Sequence, residues 1–523
     1  MPNQTGWASD QPANGERVEE TASMRWPRRT VVLASMRAAA MLLTAAWLAS
    51  TAGPTGADSP GVSTGGGSSL PLATPGIDPP GGGGSGPSGG DSSGGGSSIP
   101  IPPPPPPGSW EAMQGGGGGN LGNPGGGTGG PNIEIPGLLQ TDQQQGPNVS
   151  PDEVIVVLPG TMDRSAGAAF AADHNGTVVD YFRLPGLNAH VFLLSLRDAG
   201  QFGQQFKKMT QDPRPFWVQP NPTFATSPAR KLSSTDPKPN IGLQYALAQV
   251  HIEPVLEVTR GGGVPVAMVD SGVAVSHEAL AEASISVLDV IAKPNAPTTT
   301  ATPESHGTAI ASIIVGHGQL QGIAPEVELL AIRAFKETDP KSGAARSSAF
   351  HLSKGISVAI DRGARIINLS LTGPQDRLVS HTVEQALLAR IAVIAAAGNA
   401  GPGAPPAYPA AQAGVIAVTA TDDGDHLYRH ANRGPYVTLA APGVDILVAQ
   451  PKGYGYLSGT SMATAYVSGL SALMISRVDD LTPVRLRKLL ETSATDLGPP
   501  QRDPEFGAGR IDATAAFSHL AAN

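Results

Sequence analysis

The 523-residue chain contains no cysteine. Disulfide bonds, thiol catalysis and cysteine-based zinc sites are therefore excluded, and redox chemistry gives no information about the compartment. Basic residues are also few, since 34 lysines and arginines stand against 43 acidic residues for a net charge of −9. Because the globular part has no long basic run, the chain lacks the electrostatic footprint of a nucleic-acid-binding protein.

Glycine and proline are in excess, at 66 and 50 residues, and both are concentrated in one region. Residues 53–148 are rich in glycine, proline and serine, and they include six consecutive prolines at 102–107. Such a segment cannot bury enough apolar surface to offset the entropy of ordering it. We therefore predict a disordered linker with one stiffer polyproline insert, and we favour this interpretation over a ligand for a groove-binding domain.

The first 52 residues contain a candidate export signal. An apolar run at 38–49 is preceded by four arginines and followed by small residues. This pattern is typical of a secretory signal peptide, and the run is too short to span a bilayer. We therefore predict an exported protein, either secreted or located in the periplasm or at the cell surface. The alternative is an uncleaved signal anchor formed by residues 31–49, which would attach the chain to a membrane.

Residues 149–226 have the pattern of a small folded domain. Strand and helix patterns follow one another as a strand at 154–158, a helix at 165–174, strands at 177–182 and 190–196, a helix around 202–209 and a strand at 216–218. The order βαββαβ predicts an α+β domain of ferredoxin-like topology. That topology serves many functions, so it does not by itself assign one.

From residue 240 to residue 523, short apolar runs alternate with helical stretches. The runs lie at 265–269, 328–334, 366–371, 391–397 and 415–420. This alternation predicts an α/β fold with a parallel sheet covered by helices on both faces. Ligands of such sheets bind at the carboxyl ends of the strands, and Asp270 and Asn399 each follow a predicted strand.

Four short motifs in this region point to chemistry. Ser461, in the glycine-led stretch 459–465, lies where a loop gives way to a helix, and the N–H groups of a helix start suit a developing oxyanion. A hydroxyl nucleophile needs a base, and the base needs an acceptor, roles that His306 and Asp270 can take. The side-chain amide of Asn399 can donate to the oxyanion. Each motif alone has a commonplace explanation as a helix cap or a turn, but all four in this order form a specific pattern.

With these motifs the chain resembles the subtilisin-like serine peptidases, over roughly residues 240–520. The resemblance implies a serine endopeptidase with Asp270, His306 and Ser461 as the triad, Asn399 in the oxyanion hole, and no cofactor. Its partners would be protein or peptide substrates. The resemblance also implies two substrate-binding segments, formed by Ser370, Leu371, Thr372 and Gly373 and by Ala396, Ala397 and Gly398.

The same resemblance gives the preceding domain a role. Residues 149–226 resemble the family's inhibitory propeptide, whose tail lies in the active-site cleft until it is cut. We therefore expect a zymogen in which residues 227–239 form a processing linker, with self-cleavage between Phe224 and Asn240. The alternative is an accessory domain that is never removed. For the whole chain, the alternatives are a catalytically silent peptide-binding relative and a surface tether.

Several positions depart from the pattern of the family. Ala465 and Tyr466 replace a common Pro-His pair, Ala309 replaces a common histidine, and Thr372 replaces a glycine and is expected to narrow the cleft. The segment 315–322 is shorter than the calcium loop of many relatives and lacks its oxygen ligands. We therefore predict no metal site.

Overall fold

The computed structural model describes residues 149–226, 230–231, 243–292, 304–339 and 344–522. The predicted export signal in residues 1–52 and the predicted linker in residues 53–148 lie outside the described residues. So does the predicted processing linker, residues 227–239, apart from residues 230–231. The described residues belong to one compact unit.

The first part of the chain folds as βαββαβ, as the sequence predicts. Its elements are β1 (Val149–Pro159), α1 (Arg164–Asp173), β2 (Gly176–Leu184), β3 (Ala189–Leu196), α2 (Phe202–Thr210) and β4 (Trp217–Ala225). The strands pair in the order β2-β3-β1-β4, and β1 is antiparallel to both of its neighbours. Asp163 caps α1 by accepting a hydrogen bond from the backbone N–H of Ala166.

Strand β1 is buried on both faces, and its alternating side chains serve two cores. Val154, Val156 and Leu158 pack beneath α1 and α2 in the core of the first domain. Ile155 and Val157 face the other way and join a hydrophobic cluster that continues into the rest of the chain. The first domain and the following one therefore share a core.

The larger domain is built on a seven-stranded sheet whose neighbouring strands are all parallel. Its order is β14-β13-β12-β11-β6-β8-β7. The strands are β6 (Pro265–Asp270), β7 (Ile285–Asp289), β8 (Glu328–Arg333), β11 (Ile366–Leu369), β12 (Ala392–Ala396), β13 (Ile416–Thr421) and β14 (Leu439–Pro442). Most of these strands are buried on both faces, which explains why their sequences are near-continuous apolar runs.

Helices cover both faces of this sheet, so the predicted fold class is confirmed. One face is packed against α5 (Ser305–Val315), α8 (Thr460–Arg477), α9 (Pro483–Ser493) and α10 (Ala513–Ala522), together with the short helices α3 (Tyr245–Gln249) and α4 (Glu253–Leu256). The other face is packed against α6 (Ala349–Asp361) and α7 (Arg377–Leu388). Helix α8 lies in the middle of the first cluster and is buried along almost its whole length.

The first domain is joined to the larger one by strand pairing. Strand β4 is antiparallel to β10 (Ala344–Ser348), which in turn pairs with β9 (Lys336–Asp339). The result is one six-stranded sheet that runs from the first domain to the edge of the larger domain. A separate small sheet contains β5 (Arg230–Lys231), β15 (Ile446–Ala449) and β16 (Tyr454–Leu457). Among the described residues, no helix combines the length and the apolar character that crossing a bilayer requires.

Candidate active site

The four predicted active-site residues lie at the starts of helices and the ends of strands. Asp270 is the last residue of β6, and Asn399 follows β12 by three residues. His306 and Ser461 are the second residues of α5 and α8, two helices that pack against each other on one face of the sheet. Because neighbouring parallel strands end at the same edge, this fold gathers the candidates at the carboxyl edge of the sheet.

Asp270 and His306 form a buried hydrogen-bonded pair. Asp270 Oδ1 lies 2.8 Å from His306 Nδ1, and the two side chains are 0% and 1% exposed. Since the carboxylate accepts from Nδ1–H, the other ring nitrogen, Nε2, is left as the basic one. Within the part of the chain that the structure describes, His306 Nε2 is buried and has no hydrogen-bond partner. The pair thus presents an oriented base.

Hydrogen bonds from backbone N–H groups to side-chain hydroxyls hold together the loops that carry Asp270 and His306. Ser271 Oγ, next to Asp270 in the chain, accepts a hydrogen bond of 2.9 Å from the N–H of Gly307, the residue after His306. Thr308 Oγ1 accepts from the N–H of Ala274 at 2.9 Å. A Cβ on Gly307 would lie 2.3 Å from the Ser271 carbonyl oxygen, so only glycine fits there. The Gly-Thr that follows the histidine therefore serves to join α5 to the loop after β6.

Glu304 is a buried carboxylate that sequence analysis missed. Its Oε2 accepts from the N–H of Gly272 at 2.7 Å, and its Oε1 accepts from the N–H of Glu337 at 3.1 Å. Arg333 binds the same carboxylate through Nη2 at 2.9 Å and Nε at 3.2 Å. Glu304 therefore ties the loop after Asp270 to the segment just before His306. The available signal was an acidic residue two positions before the candidate base.

Ser461 is buried, and its hydroxyl is hydrogen-bonded to Ser370, the residue after β11, and not to the imidazole of His306. Ser461 Oγ donates to the Ser370 carbonyl oxygen at 3.1 Å. Ser370 Oγ returns a hydrogen bond of 2.9 Å to the Ser461 carbonyl oxygen. The structure therefore joins Ser461 firmly to Ser370, and the hydrogen bond from Ser461 Oγ to His306 Nε2 is not formed.

Asn399 is anchored to the residue before the serine. Its Oδ1 accepts from the backbone N–H of Thr460 at 3.0 Å and from Thr460 Oγ1 at 3.1 Å. Thr460 Oγ1 also accepts from the N–H of Gly398 at 3.2 Å. The oxygen end of the amide is thus occupied by Thr460, and the amide nitrogen is the end that can donate to an oxyanion.

The segment with Ala396, Ala397 and Gly398 continues from β12 and is buried. The Ala397 carbonyl oxygen accepts a hydrogen bond of 2.8 Å from the hydroxyl of Tyr436. Gly398 has φ of +113°, and a Cβ there would lie 2.5 Å from Asn432 Nδ2. A residue with a side chain would therefore be strained at this position and would displace Asn432.

The predicted substrate-binding strand is already paired with the tail of the first domain. The Ala225 N–H donates to the Thr372 carbonyl oxygen at 2.9 Å, and the Thr372 N–H donates to the Ala225 carbonyl oxygen at 3.0 Å. On the opposite side of the tail, the Thr226 N–H donates to the Ala345 carbonyl oxygen at 3.0 Å. Phe224 is fully buried, and its ring lies where a Cβ on Gly373 would be 2.2 Å away. The neighbouring Ser370 and Leu371 are also buried.

Two helix starts of the larger domain are covered by the first domain. Asn221 Oδ1 accepts from the N–H of Phe350 at 3.2 Å, in the first turn of α6. Asp376 caps α7, and its Oδ2 accepts from Gln219 Nε2 at 2.7 Å. Burial raises the pKa of the Asp376 carboxyl to about 6. Among the described residues, no group of three or more histidine or acidic side chains could hold a metal ion.

The sequence of the larger domain, which carries these candidate residues, matches a known family. Residues 261–509 match the peptidase S8 family, described as the subtilase family. Thermitase from Thermoactinomyces vulgaris is 33% identical over 278 residues, which cover 53% of this chain and 96% of thermitase. The chain therefore belongs to the subtilase family, and the predicted resemblance is confirmed.

Two further comparisons describe the extent of the similarity. Halolysin from Haloferax mediterranei is 35% identical over 296 residues, and the chain spans 55% of halolysin's length. The crystal structure of fervidolysin from Fervidobacterium pennivorans, a keratinolytic enzyme related to subtilisin, aligns with a TM-score of 0.59 at 24% identity. That alignment covers 72% of this chain and 62% of fervidolysin, and it shows a shared fold.

Proposed function

We propose that the protein is a serine endopeptidase that hydrolyses peptide bonds through an acyl-enzyme. The observation that carries this proposal is the buried pair of Asp270 and His306, whose Nε2 is unoccupied, on a helix packed against the one that Ser461 begins. Nucleophilic catalysis by serine requires an oriented base that the hydroxyl can reach, and the helices that carry His306 and Ser461 in their first turns pack against each other.

The proposed reaction begins when the Ser461 hydroxyl leaves the Ser370 carbonyl oxygen by rotation about its Cα–Cβ bond and donates to His306 Nε2. His306 takes the proton as Ser461 Oγ attacks the substrate carbonyl carbon, and Asp270 stabilises the imidazolium. The amide nitrogen of Asn399 and the backbone N–H of Ser461 hold the oxyanion. His306 then protonates the leaving amine, and water releases the acyl group by the same steps.

We also propose that residues 149–226 are an inhibitory propeptide and that the protein is exported as a zymogen. In support, residues 224–226 occupy the cleft between Thr372 and β10, so a substrate strand cannot bind there at the same time. Contacts such as that between Lys354 Nζ and Asp180 Oδ2, at 2.5 Å, hold the first domain on the helices behind the cleft. Activity therefore requires cleavage between Phe224 and Asn240, followed by departure of the tail.

The test compares the full chain with its Ser461→Ala variant. We expect the wild type to cut itself between Phe224 and Asn240, as shown by mass spectrometry of the fragments, and we expect the variant to stay intact. A fluorophosphonate should label Ser461 in the processed wild type. A chain that neither processes itself nor reacts with the fluorophosphonate after the first domain is removed would instead be a silent peptide-binding relative.

A further inference from the structure

The side chain of Thr226 contacts the backbone of the cleft in a way that backbone pairing does not require. Its Oγ1 accepts a hydrogen bond of 3.0 Å from the N–H of Ala345, while its own N–H donates to the Ala345 carbonyl oxygen at 3.0 Å. Both residues are buried. Ala345 is thus bound at two points, and one of them is a hydroxyl of the docked segment.

The register of the tail shows which substrate position Thr226 represents. Ala225 pairs with Thr372, and the Ser461 hydroxyl is bonded to the carbonyl oxygen of Ser370, two residues before Thr372. Neighbouring antiparallel strands advance in opposite directions, so a substrate in the same register presents to Ser461 the residue two positions after its Ala225 equivalent. The equivalent of Thr226 is then the second residue before the bond that is cut.

The Ala345 N–H can distinguish peptides by whether the side chain at this position carries a hydrogen-bond acceptor. When an extended peptide fills the cleft, water is excluded from the N–H, which then depends on a peptide side chain for its hydrogen bond. Valine has the shape of threonine but no acceptor, so it leaves a buried donor unpaired. A site that hydrogen-bonds a hydroxyl discriminates strongly against an analogue without one.

We propose that the cleft selects peptides with threonine or serine at the second position before the cut bond, and that the backbone N–H of Ala345 determines this selection. The proposal rests on the proposed endopeptidase function. It defines the substrate class as extended peptides with a hydroxyl side chain at the position that Thr226 holds in the docked segment.

The first experiment measures kcat/KM of the self-processed enzyme on peptides that contain Pro-Thr-Phe-Ala-Thr. One further residue follows this segment, and the bond after that residue is the one that is cut. The last threonine is replaced by serine, valine or alanine. We expect serine to keep most of the activity, and valine and alanine to lower kcat/KM about 10- to 100-fold, the effect of one unpaired buried donor. The matched control replaces the first threonine by valine. This position corresponds to Thr223, whose hydroxyl has no hydrogen bond among the described residues, so the change should be under about threefold.

The second experiment does not depend on turnover. In the full chain with Ser461→Ala, the amide of Ala345 should exchange with solvent about 10- to 100-fold faster after Thr226→Val, and at the original rate after Thr223→Val. If none of the peptides is hydrolysed but the Ala345 amide exchanges as expected, the proposed endopeptidase function is overturned and the proposed recognition of the hydroxyl still holds. Hydrolysis with equal rates for threonine and valine peptides would overturn the hydroxyl recognition alone. Equal losses at both threonine positions would also contradict it.

Discussion

The two halves of the candidate triad are held in different ways. The half with Asp270 and His306 is closed, because its carboxylate and imidazole are already bonded to each other and their loops are joined by hydrogen bonds. The half with Ser461 is incomplete, because its hydroxyl donates to the Ser370 carbonyl oxygen and not to His306 Nε2. In the proposed mechanism, the base is therefore oriented before the nucleophile donates its hydrogen bond to it.

The two halves therefore differ in how many contacts must change before their geometry changes. A staggered side chain such as that of serine can change its hydrogen-bond partner by rotation about one bond, whereas the relative position of two loops depends on many contacts. Catalytic hydrogen bonds are often long or misaligned before substrate binds and tighten afterwards. We therefore expect the Asp270 half to tolerate little change of geometry, and the Ser461 half to be completed when a substrate binds after the tail has left.

Removing the nucleophile should have the largest effect. Ser461→Ala is expected to lower kcat on a peptide substrate by about 10⁶-fold, because loss of the nucleophile from a triad removes its whole contribution. Steady-state assays of the self-processed wild type and of the variant, with its first domain removed by an added protease, provide the measurement. Ser458→Ala is the matched control, since among the described residues the Ser458 hydroxyl is hydrogen-bonded only to Asp445, at the other end of the β15-β16 hairpin. A variant that retained a tenth of the activity would show that Ser461 is not the nucleophile.

Altering the closed half should have the next largest effect. Asp270→Asn preserves the shape but removes the negative charge that selects the Nδ1–H tautomer, and kcat should fall by about 10⁴-fold. The control is Asp512→Asn, which changes a second aspartate paired with a histidine, His251, at 2.9 Å and away from the candidate site. Equal activity of wild type and Asp270→Asn would mean that the Asp270 half plays no part in the chemistry.

Removing the proposed oxyanion donor tests the Ser461 half without changing its nucleophile. Asn399→Ala should lower kcat about 10²- to 10³-fold and leave KM nearly unchanged, because the donor acts on charge that develops in the transition state. The same substitution removes the acceptor for Thr460, so a thermal unfolding curve is needed alongside the kinetics. A change confined to KM would contradict the assignment.

Much of this organisation could be predicted from the sequence because it depends on local patterns. Apolar runs such as that at 415–420 became buried parallel strands. The strand-end position of Asp270 and the helix-start position of Ser461 likewise follow from patterns a few residues long.

The contacts that the sequence did not reveal join residues far apart in the chain. The bond between Ser461 and Ser370 spans 91 positions, and that between Thr226 and Ala345 spans 119. Neither has a periodic or capping signature. The sequence could place a tail near the cleft only through its family resemblance, and the hydrogen bond of the Thr226 side chain depends on a register that one sequence does not encode locally.

The smallest effect is expected from loosening the contacts behind the closed half. Glu304→Gln keeps an acceptor for the Gly272 N–H but replaces one oxygen that binds Arg333 with an amide donor, so the two loops should separate slightly. We expect kcat to fall about tenfold, since small misplacements of a catalytic group are costly, with secondary structure unchanged. Glu326→Gln is the matched control, because Glu326 binds Arg260 at 2.9 Å on an exposed surface. If both variants behaved alike, the rigidity of the Asp270 half would have to come from the Ser271 and Thr308 contacts alone, and Ser271→Ala should then show the larger loss.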